Sequence, residues 1–233
     1  MYTLKQSGSK LLGPINRWCY ASFAPKRHAF EIARREADKR GFAAHSKKRI
    51  QIVTDGDEVL AIYAKELFPD AFHTLDAWHA LEYLWEAGGC LYPEGSSELT
   101  AWMDAQKKEF FAGNVASILT ELKRRLLAIS PTGPGNKGRC ERLAGAIEYL
   151  DKRVHQMNYG ELLAADLEIG SGAVEGAIKN IVAARFDKGG MRWIRERAEA
   201  LLQLRCIDAN GDWDRFIDHV HDSLRRTQQG GCT

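Results

Sequence analysis

The sequence predicts an α/β protein that is mostly α overall: one small parallel sheet, then a long stretch built only of helices. Three observations carry that expectation. Ile50, Ile52 and Val53 form a short β-branched run ending at Asp55 and Gly56, and a second short run, "FHTLD" at residues 72–76, follows one intervening helical pattern. Strand, helix and strand at this spacing make a βαβ unit, which requires parallel strands. After Ala77, apolar residues recur every three to four positions, with none of the strict alternation of strands. A chain of 233 residues, 45% hydrophobic and 27% charged, has ample material for a core.

Each element follows from local pattern. "RWCYASFA" (17–24) has the aromatic and small-residue content of a short strand. "PKRHAFEIARREADKRG" begins with Pro25 near a helix N-terminus and stops at Gly41, with Phe30, Ile32 and Ala33 spaced for one buried face. "KKRIQIVTDG" reads as a buried strand delivering Asp55 at its C-terminal edge. "DEVLAIYAKELFP" is a helix closed by Pro69, and "FHTLD" is the strand delivering Asp76. Helices follow over "AWHALEYLWEAG", "SELTAWMDAQKKEFFAGN" and "NVASILTELKRRLLAI". "SPTGPGNKG" is a linker, and "RCERLAGAIEYLDKRVHQM", the helix holding Glu175, "MRWIRERAEALLQLRCIDANG" and a terminal helix from Trp213 complete the chain. The tail "TQQGGCT" is expected to be disordered.

Composition excludes several classes. There is no apolar run of about 18 residues for a membrane span, and "MYTLKQSGSK" lacks the apolar centre of a signal peptide. Five scattered cysteines without a CxxC fit reduced cytosolic thiols, not a disulfide framework or a zinc site. The net charge of +2 hides an asymmetry: residues 1–50 hold twelve Lys/Arg against three acids. That fits contact with a polyanion, and equally a solvated basic helix.

Three acids stand out by position. Asp55 and Asp76 end strands, where open α/β sheets bind ligands. Glu175 sits in "IGSGAVEGAIKN", an acid among small and apolar residues at a helix start. Gly170–Ser171–Gly172 gives a tight approach and a serine able to cap that helix. A capped helix with one acid favoured by the macrodipole explains Glu175 structurally. Converging carboxylates explain it functionally, because they hold Mg²⁺ for in-line phosphoryl transfer. Asp55 is likewise either a ligand or a common Asp-Gly turn. His79, three residues after Asp76, is a ligand or a hydrogen-bonded core histidine, and its neighbours Trp78 and Leu81 favour the core. Trp78, Tyr83, Leu84 and Trp85 read most simply as core. In "RFDKGGMRWIRERA", the cations Arg185, Lys188, Arg192 and Arg195 flank a Gly-Gly turn and Trp193, a composition suited to phosphates and an unstacked base; Lys179 precedes them. Charges on a solvated helix are the alternative.

In this order, "IVTDGDEVLAIYAKELFPDAFHTLDAWHALEYLW", "IGSGAVEGAIKNIVAARFDKGGMRW" and "LLQLRCIDANGDWDRF" resemble bacterial insertion-sequence transposases of the Kra type, over about Arg17 to Phe216. Those enzymes belong to the DDE group with an RNase H-like core. The resemblance implies a partial RNase H-like core at 1–76, an all-helical insertion at 77–168, and a C-terminal core helix with following helices at 169–233. It implies Mg²⁺-dependent DNA cleavage and strand transfer, with Asp55 and Glu175 as the second and third catalytic and metal-binding acids. Asp76 and His79, in "LDAWH", match a D-x-x-H signature and become an auxiliary pair. DNA is the implied partner, with self-association compatible and neither membrane nor small-molecule substrate, in the bacterial cytoplasm near the nucleoid. The family's first acid has no counterpart: the aspartate before Asp55 is Asp38, inside a helical stretch. The expectation is an N-terminally truncated transposase portion, inactive alone, with residues 1–24 poorly ordered or irregularly paired. The alternative is a non-catalytic DNA-binding or interaction protein derived from one.

Overall fold

The computed structural model describes residues 1–8, 10–42, 48–130, 132–187 and 192–229. In chain order the elements are β1 (Thr3–Ser7), β2 (Lys10–Ile15), α1 (Lys26–Lys39), β3 (Gln51–Thr54), α2 (Glu58–Leu67), β4 (Phe72–Leu75) and α3 (Ala77–Leu91). Then come α4 (Ser97–Phe111), α5 (Val115–Ala128), α6 (Asn136–Lys152), α7 (Tyr159–Ala164), α8 (Gly172–Ala177), α9 (Ala184–Phe186), α10 (Arg195–Ala209) and α11 (Trp213–Gln229). The protein is mostly helical, and its chain divides into two compact units: Met1–Glu36 with Gly172–Thr233, and Ala37–Ser171.

The unit Ala37–Ser171 contains the expected βαβ arrangement. β3 and β4 pair in parallel, from Gln51 opposite Phe72 to Thr54 opposite Leu75. β3 is only half-buried until Thr54, so it is less enclosed than its β-branched run suggests. α2 starts at Asp57, whose carboxylate accepts from the Val59 N–H at 2.8 Å, and ends before Pro69. α3 buries Ala77, Ala80, Leu81, Leu84, Ala87 and Gly88, a stripe at three- and four-residue spacing. Its small residues admit α4 closely: a Cβ on Gly88 would lie 2.7 Å from the Trp102 ring. Leu122 of α5 and Leu143 and Leu150 of α6 close the core at 2% exposure or less, each contributing about 1.5–3 kcal/mol. Buried Tyr159 of α7 donates its hydroxyl to the Leu75 carbonyl at 3.0 Å, tying the helical layer to the sheet edge.

The same stripe corrects the aromatic face expected on α3. Leu84 is fully buried, but Trp78 and Trp85 are 55% and 40% exposed. They lie one position off the stripe, on the turn of helix that faces water.

The other unit departs further from expectation. Residues 17–24 form no strand, and β1 and β2 pair antiparallel with one register shift between Thr3 and Lys5. The physical reason lies in α10 and the residue that ends it, whose side chains satisfy the extended backbone of 17–24 in place of a neighbouring strand. Asn210 accepts from the Cys19 N–H at 2.8 Å and donates to the Cys19 carbonyl at 3.0 Å. Glu199 accepts from the Phe23 N–H at 2.7 Å and from the Ser22 hydroxyl. Gln203 donates to the Ala21 carbonyl at 2.9 Å. A small core of Ile181, Leu202 and Cys206 packs beneath, with Cys19, Ala21 and Phe186 against it. In α1, Phe30, Ile32 and Ala33 are half-buried, while Ala37 is the residue of that helix that is buried. The helix turns out at Gly41, whose φ of +76° suits glycine. Thr227 to Gln229 continue α11 instead of being disordered, and the last four residues of that tail lie outside the described residues.

Candidate functional site

The parallel register brings Asp55 and Asp76 to the same carboxyl edge, each one residue past the paired Thr54 and Leu75. Their environments differ sharply. Asp55 is exposed, and its carboxylate accepts the Asp57 N–H at 3.1 Å, closing the turn into α2. The turn itself is clamped from α6 and the residue just past it. Tyr149 donates its hydroxyl to the Asp55 carbonyl at 2.7 Å, and Arg153 donates twice to the Gly56 carbonyl, at 3.0 and 2.7 Å. The Arg153 guanidinium lies 4.0 Å over the Tyr149 ring, which stacks on Tyr83 with centroids 3.5 Å apart. Burial, opposed by the Arg153 charge, pushes the Tyr149 hydroxyl up to about 12, so it stays a donor. Gly56 is required twice over: its φ is +86°, and a Cβ there would strike the Tyr149 hydroxyl and lie 2.8 Å from Leu75 Cδ1. Asp-Gly was legible in sequence; Tyr149 and Arg153, about ninety residues away, carried no signal.

Asp76 is fully buried. One carboxylate oxygen accepts the N–H groups of Trp78 (2.7 Å) and His79 (3.2 Å), capping α3, and the other accepts the Ser171 N–H at 2.6 Å. Burial alone would raise its pKa, but the hydrogen bonds from the Ser171 hydroxyl and N–H, then His79 and Trp78, outweigh it and hold the group below the usual carboxylate range. The segment leading to Ser171 is zipped along the same edge: Gln51 donates to the Glu168 carbonyl at 2.6 Å, and the Ala77 N–H donates to the Ile169 carbonyl at 2.8 Å. Gly170 supplies the expected close approach, since a Cβ would lie 2.9 Å from the Trp78 indole nitrogen. His79 is not a core histidine. Its side chain is 43% exposed and its ring lies 3.3 Å from Glu82, because position 79 falls beside the buried stripe.

Glu175 lies in the first turn of α8, in the other unit, and is exposed. The expectation of tight packing by small neighbours does not hold: Val174 and Ile178 are 54% and 52% exposed. Past Ala177 the helix continues as a π-helical stretch at Ile178–Ala183. The Arg205 fork of α10 donates to the carbonyls of Asn180 (2.5 Å) and Ile181 (2.7 Å) in that stretch.

The basic residues of the same unit are partly gathered. The Arg185 guanidinium lies 5.6 Å over the Trp193 ring, Trp193 lies 5.3 Å from Phe186, and Phe186 meets Phe23 edge-on at 6.4 Å. Arg195 donates to the Phe23 carbonyl at 2.8 Å, so its role is at least partly structural. Lys179 and Arg192 are exposed, and Lys188 lies outside the described residues.

Mg²⁺ requires several available oxygens. Asp76 commits both of its carboxylate oxygens to three backbone N–H donors, and among the described residues no three His, Cys, Asp or Glu side chains are grouped to hold a metal. The residues at the strand edge therefore do not make a metal centre by themselves. The class defined is a mostly helical protein built on a two-stranded parallel βαβ edge, with no described helix long and apolar enough to cross a membrane. No family profile, curated protein or solved structure matches the chain.

Proposed function

We propose that this chain is a transposase-derived DNA-binding protein: the C-terminal portion of a DDE transposase with an RNase H-like core, unable to cleave DNA alone. The observation that supports the DNA reading best is the Arg185–Trp193–Phe186–Phe23 cluster. A guanidinium stacked on an indole is a flat, weakly hydrated cation suited to phosphate oxygens, and Lys179 and Arg192 add charge in the same unit. The transposase reading rests on the sequence resemblance, supported by an exposed Asp55 held at the end of a parallel strand. Asp76 then acts by fixing the edge beside Asp55, and cleavage would require a metal and further carboxylates acting together with Asp55 and Glu175.

The test is binding of labelled duplex DNA across a salt series, beside a cleavage assay with Mg²⁺. Binding should be largely sequence-independent and weaken steeply with salt. Arg185→Glu with Arg192→Glu should flatten the dependence by about 0.9 in log–log slope for each phosphate no longer neutralised. Glu175→Gln should leave binding unchanged. Affinity that is flat with salt refutes the DNA reading. Robust Mg²⁺-dependent cleavage by the native chain, abolished in Glu175→Gln, refutes its inactivity alone.

A further inference from the structure

A cleft of about 500 Å³ opens where α5 ends and α6 begins, wholly within the unit Ala37–Ser171. Small-molecule sites span roughly 300–1,000 Å³. Arg124 and Arg125 of α5 and Arg139 of α6 line it, and Leu91, Ala128 and Ile129 give it an apolar side. One acid answers these cations. Glu121 takes Arg124 at 2.7 Å and Arg125 at 2.8 Å, and hydrogen bonds from Arg124 and then Arg125 hold its carboxyl down at about 2. One negative charge against these arginines leaves the cleft net positive by two. Arg125 has a structural account: it sits in the last turn of α5, where a cation is favoured, and donates to the Tyr92 hydroxyl at 2.7 Å. Arg139 has none. It belongs to the other helix, its Nε–H is buried without a hydrogen-bond partner, and it pairs with no acid among the described residues. Leaving a buried donor unmatched costs stability, and an acceptor entering from outside the chain recovers it.

We propose that this cleft binds a small phosphate monoester, its phosphate taken by Arg139 with Arg124 and Arg125 and its organic part laid against Leu91, Ala128 and Ile129. A phosphate monoester carries about −1.5 to −2 charge at neutral pH, which matches the cleft's excess. Its oxygens accept guanidinium forks in pairs. Asn136 and Arg139, in the first turns of α6, stand on the wall of the cleft, and that helix starts without a side-chain cap, so its positive end adds to the field. The Arg124 side chain is 68% exposed, so its pair with Glu121 opens towards an incoming phosphate at little cost. Shape separates this ligand from duplex DNA. Backbone phosphates are met by side chains standing out from a surface, whereas the Arg139 Nε–H is recessed beside an apolar wall that a duplex backbone leaves uncovered. The site thus adds a small-molecule ligand where the family resemblance implies none. It is also independent of the DNA reading, whose cations Lys179, Arg185 and Arg192 belong to the other unit.

Titration calorimetry of the full chain in chloride buffer tests this, with phenyl phosphate as the probe. The native chain should bind it one to one, and should bind inorganic phosphate, which lacks the organic part, more weakly. Phenyl sulfate, the same ring with a single charge, should also bind more weakly. Arg139→Met keeps the side-chain stem and removes the guanidinium, so it should fold as the native chain does, by circular dichroism and urea midpoint. It should weaken phenyl phosphate binding about tenfold or more, the worth of a charge-assisted hydrogen bond. Glu121→Gln releases both α5 arginines and should tighten binding, a gain that a damaged fold cannot imitate. A native chain that takes up no phenyl phosphate at millimolar concentration overturns the proposal, as does an Arg139→Met chain that binds as tightly as the native one. Equal affinity for phenyl sulfate overturns the assignment to a phosphate. A short DNA duplex that displaces phenyl phosphate, and whose own binding is lost in Arg139→Met, overturns the small-ligand reading. Duplex binding unchanged in Arg139→Met, with phenyl phosphate binding lost, supports it.

Discussion

Replacing Asp76 separates a positioning carboxylate from a spare one. Asp76→Ala removes the N-cap of a 15-residue helix, worth about 1 kcal/mol. It also strands the Ser171 N–H, which loses its 2.6 Å acceptor at a cost of about 1–3 kcal/mol. The sum is about 3 kcal/mol, or a fall in Tm of about 6–12 °C for a chain of this size. Asp76→Asn, though isosteric, should cost nearly as much. Its carbonyl can still cap α3, but its amide then faces the Ser171 N–H, donor against donor. Asp76→Ser should fall between, keeping a cap and losing the second bond. The pH dependence has a definite sign. The folded pKa is depressed, so the stabilisation is fully present above the unfolded value of about 3.9 and is lost as pH falls towards the folded pKa. Urea midpoints for native and Asp76→Ala chains should therefore differ most at neutral pH and converge below about pH 4. Exposed Asp55→Asn is the control, within about 0.5 kcal/mol of native. Asp76→Asn unfolding within about 0.5 kcal/mol of native would refute the positioning role, because exposed surface changes cost no more than that.

Gly56→Ala should destabilise by more than about 2 kcal/mol, combining a left-handed backbone with a collision at Tyr149; a thermal melt unchanged from native would contradict the clamp. Burial pushes the Cys206 thiol up to about 11 and raises Cys19 as well. Both should resist alkylation near neutral pH, with the Cys206 rate rising about tenfold per pH unit while the fold persists, as read by peptide mass mapping. Arg205→Met should leave the Asn180 and Ile181 carbonyls without their fork, costing about 1–3 kcal/mol, and amide exchange should quicken across Ile178–Ala183 before it does in α6.

Helix existence and the βαβ unit were legible because they rest on local periodicity, which needs no partner to read. The run Ile52–Val53 and the turn at Asp55–Gly56 carry their own signals, as does the stripe from Ala77 to Gly88. Residues 17–24 show where that ceases. Aromatic and small residues suit any extended backbone, and nothing local says whether its N–H and C=O groups meet another strand or, as here, the side chains of Glu199, Gln203 and Asn210. The exposure of Trp78 and Trp85 was also a matter of phase: two tryptophans near a buried stripe look like core until the helix is wound at about 100° per residue. Tyr149, Arg153 and Arg205 were invisible because each acts on a backbone carbonyl distant in sequence, and carbonyls leave no trace in residue type.

Asp55 and Asp76 carry the same sequence signal, an aspartate just past a short strand with a helix following, yet they meet opposite fates. The difference comes from the residues immediately C-terminal to each acid. After Asp55 the chain spends Gly56 on the turn and gives the cap of α2 to Asp57, so the first carboxylate remains at the surface with one N–H partner. After Asp76 the helix begins at once, and the same carboxylate must cap it. The extended segment 168–171 then docks on its other oxygen and seals it from water. A single inserted glycine thus decides which acid is kept for the interior and which is left available. At this edge, the acid presented outward is Asp55, and the residues that aim it are Tyr149, Arg153 and Gly56, while Asp76 fixes the start of the neighbouring helix on which that geometry depends.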